Sequence, residues 1–167
     1  MGAVGELAGW EARLRRVEDE AAIRRLILSY GPAADAGLAD LAASTWTHDG
    51  VYDWDANGTP HDSRAAMLRT DGHQNLIQTG AAHIAGPPLI NIDGDTATAI
   101  TYSLIMRRDR ADGRYYLWRV SAARWELILD DGAWAVRRRT NRLLDDTGAG
   151  RSLLRATMQE LSTAVSR

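Results

Sequence analysis

The chain has 167 residues, 45% of them hydrophobic and 25% charged, with a formal net charge of −2. That length suits one ordinary domain with a single core, and the near-neutral balance excludes a global field that would draw in nucleic acid or an anionic membrane. There is no cysteine and no lysine, which removes disulfides, thiolate nucleophiles and metal ligands, and Schiff-base chemistry through an amine.

No apolar run approaches the roughly 20 residues needed to span a bilayer. The opening MGAVGELAGWEARLRR lacks a basic leader followed by an apolar segment, and it lacks a Ser or Thr at position 6 for myristoylation. The expectation is a cytoplasmic protein.

Residues 11–42 carry helical spacing: Ile23, Leu26, Ile27, Tyr30, Ala34 and Leu41 share one face at steps of three, four and seven. Pro32 has no N–H and crowds the carbonyl of Leu28, at a cost of roughly 3 kcal/mol in an unbroken helix. The expectation is a kink there, or a second helix with Pro32 in its first turn. Asp35 lies about 120° from the centre of the apolar stripe, near Leu28 and Arg24. A solvated acid or an ion pair with Arg24 is the ordinary reading. A functional acid is the other, because a kink re-aims everything after it.

Val51–Trp54 reads as a short strand and Asn57-Gly58 as a turn, and Asp62 or Ser63 caps a short helix through about Thr70. Strands are then predicted at about 76–84, 89–93, 96–108, 114–129 and 134–144. Turns at Asp93-Gly94-Asp95, Asp109–Gly113 and Asp130-Asp131-Gly132 join the later ones into an antiparallel meander. Ser152–Val165 returns as a terminal helix, a C-terminal extension over about 151–166. Helices first and a curled antiparallel sheet afterwards indicate α+β.

Four histidines carry any acid–base chemistry near neutral pH. His83, in GAAHIAGPP, has small neighbours that leave a ligand room to approach; a strand-end histidine bonded to a carbonyl is the equal alternative. His48, His61 and His73 stand in polar, turn-like surroundings and read as surface. No histidine pair has helical zinc spacing, the acidic turns lack the calcium-loop pattern, and no phosphate loop or dinucleotide fingerprint appears, so no metal and no cofactor is expected. Arg137, Arg138 and Arg139 must alternate between the faces of a strand, which makes no one-sided basic stripe. Arg142 on the same strand is a candidate to point inward at a carboxylate or carbonyl. Six tryptophans without a phenylalanine, with Tyr52, Trp54 and Trp125 foremost, suit either a core or a broad apolar pocket with polar edges.

Four segments in order, EDEAAIRRLILSYGPAAD, TWTHDGVYDWDANG, GAAHIAGPPLINIDGDTATA and DDGAWAVRRRTNRL, resemble the SnoaL-like group of the nuclear transport factor 2-like superfamily. The resemblance covers about residues 11–145 and is nearest to the scytalone dehydratase, bile-acid 7α-dehydratase and lindane dehydrochlorinase group. It implies a single domain forming a cone-shaped α+β barrel, with N-terminal helices on a curved antiparallel sheet. It further implies an Asp35–His83 catalytic pair, Tyr30 as a third catalytic group, and Tyr52 and Trp54 lining the pocket. Met106 falls where the bile-acid enzyme carries an acid, which points to a different substrate. The implied activity is cofactor-independent elimination, a dehydration of a small apolar cyclic substrate, with cyclisation or isomerisation and simple ligand binding as alternatives. The implied assembly is a homo-oligomer, trimer before dimer, through the outer sheet face.

Overall fold

The computed structural model describes residues 2–54, 60–61 and 64–165; the turn expected at Asn57-Gly58 and the cap at Asp62 or Ser63 lie outside them. The first helix, α1 (Gly2–Asp35), is longer than its apolar spacing indicated and runs through Pro32. It tolerates the proline because Pro32 is exposed, as is Leu28 (41%), so the carbonyl left without a partner lies on the solvent side. The chain then turns into α2 (Ala39–Ser44), and Leu41, expected on the buried face, is exposed instead.

Seven strands follow in one sheet: β1 (Trp46–Trp54), β2 (Pro60–His61), β3 (Ala81–Ala85), β4 (Leu89–Asp93), β5 (Thr96–Arg108), β6 (Tyr115–Asp130) and β7 (Ala133–Leu143). Their order is β2-β1-β7-β6-β5-β3, with β4 also on β5, and β1 meets β7 in parallel. The two ends of the order do not pair, so the sheet is curved but unclosed. Asp131 and Gly132 (φ 47° and 79°) join β6 to β7, the two positive φ values that a tight hairpin turn requires.

The segment expected as a strand over 76–84 is divided. Its first part belongs to the helix α4 (Asp71–Thr79), which follows α3 (Arg64–Leu68), and only β3 is extended. The signal was local: Thr70 has extended backbone and its hydroxyl accepts the His73 N–H, which starts a helix, and Gly80 (φ 108°) ends it. The last helix, α5 (Ala149–Val165), begins slightly before the expected position.

Ile23, Ile27, Tyr30 and Ala34 of α1 are buried at spacings of four, three and four, against Trp125, Leu127 and Val136 of the sheet. Burying an isoleucine is worth roughly 1.5–3 kcal/mol, so these contacts hold α1 across the inner face. On the outer face α5 covers β6, where Ala122 and Thr157 are wholly buried and Arg124 donates to Glu160 at 2.6 Å.

Two irregularities decide which side chains face inward. Ile105 pairs with Arg119 but Met106 with Leu117, leaving Trp118 unpaired in β6. Glu126 pairs with Arg138 but Leu127 with Val136, leaving Arg137 unpaired in β7. An extra residue in one strand shifts the alternation by one. Val136, Arg139 and Asn141 consequently share the inner face, where strict alternation would put Arg139 opposite Val136.

Candidate active site

The inner face, α1, α3 and α4 enclose a cavity of about 700 Å³. His83 of β3 lines it, and Asp35 stands directly behind. Asp35 Oδ1 lies 2.5 Å from His83 Nδ1, and Asp35 Oδ2 accepts the His83 backbone N–H at 2.7 Å. Both side chains are 20% exposed. A carboxylate only accepts, so the proton sits on Nδ1 and the Nε2 lone pair is left for chemistry.

Local chemistry explains the pair. β3 ends the sheet order, so its outer edge presents unpaired backbone groups that need covering. The C-terminal turn of α1 covers that edge at His83. A Cβ on Gly31 would come within 2.0 Å of the His83 carbonyl oxygen, so only glycine permits this approach. One turn later Asp35 accepts the His83 N–H. A negative charge at a helix C-terminus opposes the helix dipole, so the carboxylate is held there by His83 and not by the helix.

Tyr30 lines the same cavity at 6% exposure, edge-on to Trp46, Tyr52 and Trp125 with ring centroids 6.1–6.5 Å apart. Tyr52, Trp54 and Trp125 line it as well, and Asn141 Nδ2 donates to the Tyr52 hydroxyl at 3.1 Å. Met106 and Arg142 are not among the lining side chains. Met106 lies between Ile105 and Arg107, which do line the cavity, so alternation turns it to the other face. Arg142 is also turned outward and meets Asp53 through two hydrogen bonds of 2.9 Å. It found a carboxylate, but outside the cavity.

Two lining residues escaped the sequence reading of the site. His73, read as surface, lies on α4 with its ring centroid 5.5 Å from that of His83. Both its nitrogens are enclosed without a well-formed hydrogen bond; the nearest acceptor is the Leu68 carbonyl, which also accepts from Gln74 Nε2 at 2.8 Å. Burial, and then the neighbouring His83, push the His73 pKa below the ordinary imidazole value. The Thr70 cap and the apolar Leu76 and Ile77, at steps of three and four from His73, were the available signal. Arg139, read only as one of an alternating run, is 5% exposed on the inner face. Its position rests on the unpaired Arg137, which no sequence pattern announces.

Among the described residues no cluster of His, Cys, Asp or Glu is arranged to hold a metal ion, and no helix is long and apolar enough to cross a membrane.

A family model described as a SnoaL-like domain matches residues 15–140. Among solved structures, an NTF2-like protein with a cystatin-like fold from Novosphingobium aromaticivorans is 38% identical with a TM-score of 0.82, over 92% of this chain and 98% of that one. The hexachlorocyclohexane dehydrochlorinase LinA-type3 from Novosphingobium barchaimii is 18% identical with a TM-score of 0.66, over 80% and 91% of the two chains. A scytalone dehydratase-like protein from Novosphingobium aromaticivorans is 18% identical with a TM-score of 0.63, over 78% and 87%. At that identity the last two speak to the fold alone. No curated protein matches the chain.

Proposed function

The chain belongs to the SnoaL-like domain family, and on that premise we propose that its cavity is the active site of a cofactor-independent lyase that removes water from a small, apolar, cyclic substrate. The observation that carries this reading is the Asp35–His83 contact behind an aromatic-lined cavity. His83 Nε2 takes a proton from carbon, the C–H electrons form the double bond, and the hydroxyl on the neighbouring carbon leaves with the C–O pair. Tyr30 protonates the departing hydroxide, giving water, and regains its proton at the expense of the His83 imidazolium. Asp35 is a positioning residue: it fixes the imidazole tautomer and stabilises the imidazolium. A positioned base supplies roughly 10²–10⁴-fold, and the enclosed, oriented cavity must supply the rest.

The dehydrochlorinase and scytalone dehydratase-like names among the structural neighbours agree with elimination chemistry. One observation favours isomerisation or cyclisation as the second reading. The His73 ring stands beside His83 with its pKa lowered by burial and then by that neighbour, so it is a second base to which the His83 imidazolium can pass its proton for delivery at a different carbon.

The test is a screen of hydroxy-ketones, hydroxylated steroids and polyketide-like phenols, followed by mass. Loss of water supports the lyase, and isomers of unchanged mass support the second reading. A substrate turned over equally well by wild type, Asp35→Asn and His83→Ala would falsify both, and compounds bound but never turned over would leave a ligand-binding module.

A further inference from the structure

Among the described residues, Arg139 is a buried cation that meets no carboxylate. Arg124 and Arg142 each meet an acid, Glu160 and Asp53, but Arg139, at 5% exposure, forms no ion pair among the described residues. Its Nε donates to Asn141 Oδ1 at 3.1 Å and its Nη2 to Ser103 Oγ at 3.0 Å, both neutral acceptors. Three rings surround its guanidinium: Trp125 at 4.2 Å, Tyr30 at 5.0 Å and Tyr52 at 5.0 Å from ring centroid to Cζ. Ring faces offset part of the charge. They do not replace an anion, and arginine stays charged in proteins. A buried charge without a partner is costly, and this one lines the cavity that Tyr30, Tyr52 and Trp125 also line. The two neutral hydrogen bonds and the rings fix the plane of the guanidinium, while Nη1 donates to no protein group among the described residues.

We propose that Arg139 holds an anionic oxygen of the ligand, so that the substrate is a ring compound carrying a carboxylate or phenolate, or a carbonyl that becomes an enolate when His83 takes the proton. The proposal rests on reading the cavity as a substrate site, and it adds the oxygen on which negative charge sits or develops. In the enolate case the C–H electrons pass into the ring and onto oxygen, where Nη1 donates to the negative charge, before the hydroxyl departs. Groups aimed at developing charge in a water-poor site are among the larger contributors to catalysis. Arg107 and Arg119 also line the cavity, but the Arg107 guanidinium stacks on the half-exposed Trp118 at 5.4 Å. Arg139 lies instead against the buried rings of Trp125 and Tyr30 and the partly buried ring of Tyr52.

Titration calorimetry with two matched probe pairs at neutral to slightly alkaline pH tests this: benzoate against benzamide, and 4-nitrophenolate against 4-nitroanisole. A charge-assisted hydrogen bond in a buried site favours the anion by about tenfold or more. Arg139→Gln should abolish the preference, read as the ratio of anion to neutral affinity within each pair. A preference in the benzoate pair alone assigns a carboxylate substrate; one in the phenolate pair alone assigns an enol or phenol. Equal binding of anion and neutral probe by the wild type overturns the anion assignment while leaving the cavity a ligand site. So does a preference that survives in folded Arg139→Gln. No binding of any probe overturns both. The wild-type comparison stands even where the variant fails to fold.

Discussion

His83 and Asp35 divide one task, and their variants should differ accordingly. On any substrate the screen identifies, His83→Ala should cost about 10²–10⁴-fold in kcat, because the base is gone. Asp35→Asn should lose most turnover too, since an amide does not stabilise imidazolium as a carboxylate does. Tyr30→Phe should cost less, about tenfold, the worth of one hydrogen bond. Gly31→Ala probes the same geometry from the backbone. Its methyl would meet the His83 carbonyl oxygen, whose strand must then move, at a cost of about 1–3 kcal/mol in thermal or denaturant unfolding; unchanged stability would mean that α1 does not lie against β3. His73 adds a pH dependence. Its folded pKa is below the unfolded value of about 6.5, so its contribution is complete above that pH and is lost as pH falls towards the folded value. Thermal stability should decline from pH 7 to pH 5, and His73→Gln should flatten that decline.

At the scale of elements, α5 is anchored to the sheet by Glu160, which accepts from Arg124 at 2.6 Å and from Thr98 at 3.2 Å. The Arg124 hydrogen bond holds the Glu160 carboxyl below its ordinary pKa. The stabilisation is therefore present above the unfolded value and disappears as pH falls through the folded one. The side chain is half exposed, so Glu160→Gln should cost no more than about 1 kcal/mol at pH 7, and wild type and variant should converge in unfolding experiments once the pH has fallen through the folded value. The long strands β5, β6 and β7 were legible from β-rich runs between turn residues, within a residue or two of their observed ends. The split of 76–84 into a helix and a short strand was not, because Leu76, Ile77 and Ile84 serve either element and only the Thr70 cap and Gly80 separate them.

For the whole molecule, the expectation of a homo-oligomer through the outer sheet face, trimer before dimer, meets a partly occupied surface. α5 already covers β6, while Tyr102 and Leu89 stay 56% and 55% exposed. If that face is the interface, light scattering at micromolar concentration should report a multiple of 18.3 kDa, and Tyr102→Glu should reduce the mass. A monomer in the wild type would remove the expectation. A second apolar surface, Leu7, Trp10, Leu14 and Val17 of α1, is exposed at steps of three, four and three. Leu14→Glu distinguishes it: a mass lowered by that variant and not by Tyr102→Glu would move the interface to α1.

Composition alone removed thiolate and amine chemistry, and local patterns carried the α+β class, the meander and the inward face of α1 through Ile23, Ile27, Tyr30 and Ala34. Those signals are short-range: periodicity, turn residues and chain order are all read within a few residues. Asp35 shows their limit, since helix phase put it on the flank and only the resemblance paired it with His83. Its contact depends on an edge strand 48 residues away and on Gly31 letting the helix come close. Tertiary structure likewise turned Arg142 outward to Asp53, brought His73 beside His83, and set Arg139 among three rings. Each outcome follows from the register of strands against one another or the approach of a helix to an edge, and both are settled when the elements pack together.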